Sequence, residues 1–130
     1  MRAAAIVPLM GSVAGQEVTG QAVVSQQSVA MYGLIGKVTA SAGKRDELAA
    51  ILLGSISGLP GCLSYIVAKD PKEPDALWVT EVWESEADHN ASLALPAVRE
   101  AITRGRPLIA SFDEQHATEP IGGQGIKKGR

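Results

Sequence analysis

A single cysteine stands among the 130 residues of the chain. Cys62 therefore has no internal disulfide partner, and with no Cys-x-x-Cys pair or Cys/His cluster the sequence offers no structural zinc site. Its setting, "PGCLSY", supplies no base or cation to lower the thiol pKa, so a small buried residue is expected there rather than a nucleophile. Basic charge is scarce too. A formal charge of −2, with Lys and Arg scattered until the short run Lys127, Lys128 and Arg130, leaves no electrostatic footprint for nucleic acid. Nor does any run approach the roughly 20 apolar residues that cross a bilayer. No internal repeat is present. Together these absences predict one small domain with no membrane span and no nucleic-acid partner, and they permit a reducing, cytoplasmic location.

The first 30 residues hold one basic residue, Arg2, then "AAAIVPLM" and the small residues "SVA". This makes a poor secretory signal, because the apolar stretch is short and Pro8 interrupts it. The expectation is a low-periodicity extension over residues 1–30, upstream of a second candidate start at Met31.

From Met31 the pattern becomes regular. "MYGLIGKVTA" reads as a strand. In "SAGKRDELAAILLGSISGLPG" the period changes: Leu48, Ile51, Leu52, Ser55 and Ile56 share one helical face, and Gly58 with Pro60-Gly61 is expected to end the helix. "CLSYIVAKD" and "ALWVTEVWE" read as two further strands joined by "PKEPD". Ser85 with Asp88 resembles a capping box, which predicts a helix from just after Trp83-Glu84 to about Leu93. A second helical piece follows Pro96, and "PLIASFDEQHA" is a last strand before the Gly-rich tail at 119–130.

The order is the βαββαβ of an α+β, ferredoxin-like fold with an antiparallel sheet. Alternation places Leu77, Val79, Glu81 and Trp83 on one face of the third strand and Trp78 with Val82 on the other. On the second strand Cys62 and Ile66 are expected opposite Leu63, Tyr65 and Val67. Both faces are apolar, yet helices cover only one in this topology. A second copy is the simplest cover for the other, as a homodimer forming an α/β-barrel, with Trp78 at the interface.

"PGCLSY" opening the second strand, "EVWES" closing the third and "HNASLALPAVREAITRGRPLI" leading into the last, in this strand–helix order, resemble the antibiotic biosynthesis monooxygenase domain family over about residues 31–118. The resemblance implies a cofactor-independent oxygenase, with no metal, flavin or haem, that oxidises a small phenol, quinol or anthrone with molecular oxygen between sheet and helices. Trp83 stands at the family's matching Trp and is the candidate pocket wall, and His89, which titrates near neutrality, is the candidate proton acceptor, both as catalytic residues. Tyr65, Glu81 and Phe112 are the substrate-binding candidates. Each residue has a plainer reading. Trp83 could be core, Glu81 a structural carboxylate that caps backbone amides or pairs with an Arg of this or a second subunit, and His89 a solvent-facing helix residue; His116 reads as a surface residue. Arg99, Arg104 and Arg106 could counter a phenolate or simply be solvated.

The sequence also departs from the family. Val79 stands where anthrone-oxidising members carry Asn, and His89 lies where a Tyr is expected. "LIGKVT" and "AVREAITRG" lack the Asn and His of haem-degrading relatives, which ranks haem degradation last. The main alternative is a non-catalytic dimeric module of the same fold that sequesters a small hydrophobic ligand.

Overall fold

The computed structural model describes residues 30–126. The expectations for a leader in residues 1–29 and for the basic run Lys127, Lys128 and Arg130 lie outside the described residues. Within them the elements run β1 (Tyr32–Ala40), α1 (Arg45–Gly54), β2 (Cys62–Lys69), β3 (Ala76–Trp83), α2 (Glu86–Ser92), α3 (Pro96–Gly105), a 3₁₀ turn (Arg106–Leu108) and β4 (Ile109–Thr118). The strands form one four-stranded sheet in the order β2-β3-β1-β4. Every pairing is antiparallel. This is the ferredoxin-like α+β arrangement that the periodicity predicts.

Apolar alternation decides which face the helices cover. Leu77, Val79, Glu81 and Trp83 are all buried on β3, as are Leu34, Val38 and Ala40 on β1. Leu48, Ile51 and Leu52 from α1 and Val98 and Ala101 from α3 close over most of these residues as one core cluster. The Arg45 guanidinium donates to the carbonyls of Asp70 (3.3 Å), Glu73 (3.1 Å) and Ala76 (3.4 Å), tying the start of α1 to the β2–β3 connection.

Two local expectations are corrected. α1 ends at Gly54, ahead of Gly58 and Pro60. The Ser55 hydroxyl and backbone N–H both donate to the Leu52 carbonyl, at 3.1 and 3.4 Å, which closes the last turn early; Ile56 still packs on the core from the loop. On β2, a register shift between Cys62 and Ser64 puts Cys62 opposite Trp83 and packs it on the core, away from the face that Ile66 occupies. A bulge adds a residue to one strand and so reverses the alternation beyond it.

The opposite face of the sheet is polar at one end and apolar at the other. The Trp78 indole N–H donates to Asp70 Oδ2 (2.9 Å), and Lys37 Nζ lies 5.6 Å from the ring centroid while paired with Glu73 at 2.9 Å. Ile35 and Ile66 on this face are 36% and 56% exposed.

Candidate active site

The helix-facing end of β3 is built from residues whose neighbours are fixed by strand register. Tyr32 on β1 and Cys62 on β2 stand opposite Trp83 from either side, and Leu34 and Tyr65 likewise flank Glu81. Glu81 and Trp83 sit two apart on one strand and so share a face. That lets the Trp83 indole N–H donate to Glu81 Oε1 at 2.9 Å inside the protein.

α2 brings the fourth side chain. Ser85 is extended and its hydroxyl accepts the Asp88 N–H at 3.0 Å, starting the helix where the capping pattern predicts. Gly61 fixes where that helix sits. Its φ is +80°, which favours glycine, and a Cβ there would fall 2.6 Å from the Asp88 side chain. The Glu84 N–H closes the junction by donating to the Gly61 carbonyl at 2.8 Å. One turn into α2, His89 is 2% exposed, edge-on to Trp83 (5.4 Å between centroids, 79° between planes) and 5.3 Å from the Tyr32 ring. Its Nδ1 lies 3.2 Å from Asn90 Oδ1. The plainer reading of His89 as a solvent-facing residue is overturned. α2 turns it inward although Asn90 beside it is exposed.

The electrostatics follow from burial. Glu81 is 2% exposed, and no cation pairs with it among the described residues. Burial pushes its carboxyl up to about 8, offset in part by the Trp83 hydrogen bond. The same burial, with Glu86 and Glu81 nearby, raises Tyr32 to about 12. Tyr65 is raised well above the usual phenol value by burial first, then by Glu81 and Cys62. As a residue Tyr65 is partly exposed, but its hydroxyl oxygen is shielded from solvent.

Of the residues singled out in the sequence, Trp83, Glu81, His89 and Tyr65 therefore meet in one buried cluster. Phe112 does not join it. It lies on edge strand β4 opposite Val38 and is 38% exposed. Arg99, Arg104 and Arg106 are exposed, Arg104 on a cleft of about 250 Å³ between α1 and α3, and His116 is exposed on β4 with Glu114 3.4 Å away. Tyr32 escaped the sequence reading. β1 and β3 are not consecutive, so its place opposite Trp83 carried no local signal. Among the described residues no group of three or more His, Cys, Asp or Glu side chains is placed to hold a metal ion, and no helix is long and apolar enough to cross a membrane.

A ferredoxin-like sheet with a dry aromatic and titratable cluster under its helices defines a small α+β domain with a candidate active site on one face. Comparison with known proteins places it further. The sequence pattern of the antibiotic biosynthesis monooxygenase family matches residues 31–104. A crystal structure from Chloroflexus aurantiacus, described as a candidate antibiotic biosynthesis monooxygenase, is 62% identical, covers 74% of this chain and 98% of its own, and superposes with a TM-score of 0.73. Structures so described from Caulobacter crescentus (16% identity, 77% of this chain, 99% of that one, TM-score 0.67) and Nitrosomonas europaea (11%, 72%, 93%, 0.66) share the fold. No curated protein matches the chain. The chain belongs to the antibiotic biosynthesis monooxygenase family.

Proposed function

We propose that the chain is a cofactor-independent monooxygenase that oxidises a small aromatic phenol, quinol or anthrone with molecular oxygen. Family membership supports the class of chemistry. The observation that carries the site is His89, a buried imidazole packed edge-to-face with Trp83, whose indole is hydrogen-bonded to the buried Glu81 carboxyl.

In this reading the substrate ring lies along Trp83, and His89 takes the phenolic proton as general base. The electron-rich anion then reduces oxygen itself. One oxygen atom enters the substrate, and the other leaves as water with two hydrogens that the substrate supplies. The protein's part is to exclude water, orient the ring and handle protons. The reacting unit spans residues 31–118, with 1–30 and 119–130 as flanking extension and tail. It works as a homodimer through the sheet face that carries Ile35 and Ile66, whose exposed side chains favour cover by a second copy. A cytoplasmic location accords with the lone cysteine.

Oxygen uptake with a panel of hydroquinones and anthrones tests the activity. His89→Ala should slow turnover by about 10²–10⁴-fold, the usual range for a lost general base. Trp83→Phe should mainly raise KM. A ligand-sequestering module of the same fold is the second reading, favoured by Val79, a buried aliphatic residue where anthrone-oxidising members carry Asn. Binding without uptake above the spontaneous rate would select it.

A further inference from the structure

Two buried oxygen atoms in the cluster have no hydrogen-bond partner among the described residues: Glu81 Oε2 and the Tyr65 hydroxyl. They belong to residues that stand directly opposite one another on β2 and β3, on the sheet face the helices cover. Native interiors pair nearly all such groups, so two in register call for a third party. The Trp83 indole N–H already occupies Oε1, which leaves Oε2 as the edge where a carboxyl proton sits and from which it can be donated.

We propose that Tyr65 and the Glu81 carboxyl form a two-donor site that grips one acceptor oxygen of the ligand, a phenolate, an enolate or a ring carbonyl. The proposal rests on the reading that the ligand lies between sheet and helices, and it names what that ligand must present. Two neutral donors are the form of an oxyanion site that a dry interior tolerates. An ionised Glu81 would repel the anion it was meant to hold, whereas a neutral acid donates to it without adding charge.

The surroundings keep both groups protonated. Among the described residues, Tyr32 from β1 and Tyr65 from β2 feel the charge of Glu81, Cys62 adjoins Tyr65, and His89 and Glu86 from α2 adjoin Tyr32. α1 and α3 contribute Leu48, Leu52 and Val98 to the adjoining core. Glu81 stays neutral below about pH 8, and Tyr65 is raised well above the usual phenol value. His89 and this pair then divide the work: the imidazole takes the phenolic proton, and the two donors hold the oxygen it leaves behind.

The test uses equilibrium binding without turnover, so it is independent of oxygen uptake. The probe is 4-nitrophenol, a phenol acidic enough to be ionised near neutrality and coloured when it is; 4-nitroanisole is the ether control. The full chain at pH 7 should bind the coloured anion at least tenfold more tightly than the ether. Above pH 8 its affinity should fall about tenfold per pH unit as Glu81 ionises. Tyr65→Phe should weaken the anion at every pH. Glu81→Gln, whose amide keeps one donor and cannot ionise, should hold the anion with no fall above pH 8. The purely structural role would give a pH profile that Glu81→Gln leaves unchanged. That result overturns the proposal, as do equal affinities for anion and ether, or no binding of 4-nitrophenol up to its solubility limit. Should the Gln variant not fold, the Tyr65→Phe series and the wild-type pH profile decide. A chain that binds the anion as described but consumes no oxygen keeps this site and loses the oxygenase reading; the converse loses only the site.

Discussion

The two faces of the sheet each hold a tryptophan bonded to a carboxylate, and they treat it in opposite ways. Under the helices, Trp83 is 0% exposed and donates to Glu81, whose carboxyl is pushed up to about 8. On the other face, Trp78 donates to Asp70, which also accepts the backbone N–H groups of Lys72 and Glu73 and has Lys37 at 4.0 Å. The Glu73 N–H, then the Trp78 and Lys72 donors, and finally Lys37 bring Asp70 down to about 2. The same pair of side-chain types thus yields a neutral acid in one place and a firm anion in the other. The difference is water and partner count. Burial penalises charge, while several donors and a cation reward it.

The largest expected effect that separates the faces is truncation of each indole. Trp83→Ala should lower the unfolding free energy by about 3–5 kcal/mol, the range for a fully buried aromatic. Trp78→Ala, losing partial burial and one hydrogen bond, should cost about 1–2 kcal/mol. Urea titrations of both variants make the comparison, and equal losses would remove it.

Next in size is the response to pH, where the faces should move in opposite directions. Glu81 has a folded value of about 8 against an ordinary 4.5, so its contribution is complete below 4.5 and is lost as pH rises toward 8. The loss is on the order of a few kcal/mol and levels off above 8. Asp70 has a folded value of about 2 against an ordinary 3.8, so its contribution is present above 3.8 and is lost as pH falls through 2. Glu81→Gln should flatten the alkaline limb alone, and Asp70→Asn the acid limb alone, in denaturant midpoints measured across pH.

Gly61→Ala should cost about 1–3 kcal/mol, since it forces a side chain into the left-handed region against Asp88. The change should also displace α2, so the Trp83 fluorescence environment should shift while that of Trp78 does not. Ser85→Ala removes the cap from the same helix and should cost about 1 kcal/mol by thermal melting. Smallest for the folded protomer is Ile66→Lys, on an exposed position, within about 0.5 kcal/mol. If the Ile35 and Ile66 face carries the proposed dimer, this variant should nevertheless halve the mass by light scattering. An unchanged mass would assign the dimer to another surface.

Much of the fold was legible because it rests on local rules. Alternation on β3 put Leu77, Val79, Glu81 and Trp83 on one face, where all four are buried, and Ser85 marked the start of α2 to the residue. Less of the site was legible. Cys62 was put on the wrong face because a bulge leaves no mark in a run such as "GCLSYIV". His89 lies between Asp88 and Asn90, so its polar neighbours suggested solvent; only the docking of α2 through Gly61 turns the imidazole toward Trp83. Phe112, expected to bind the substrate, stays apart because an edge strand buries little and its partner Val38 lies away from Glu81.

By itself the sequence determined the βαββαβ order, the face on which β3 packs and the family to which these elements belong, since periodicity and capping act within a few residues of the chain. The tertiary structure alone decided that Tyr32, Tyr65, Glu81, Trp83 and His89 meet in one cluster and that burial there favours the neutral form of Glu81. Both depend on which strands lie side by side and how much water they exclude, and residues far apart in the chain carry no local record of that.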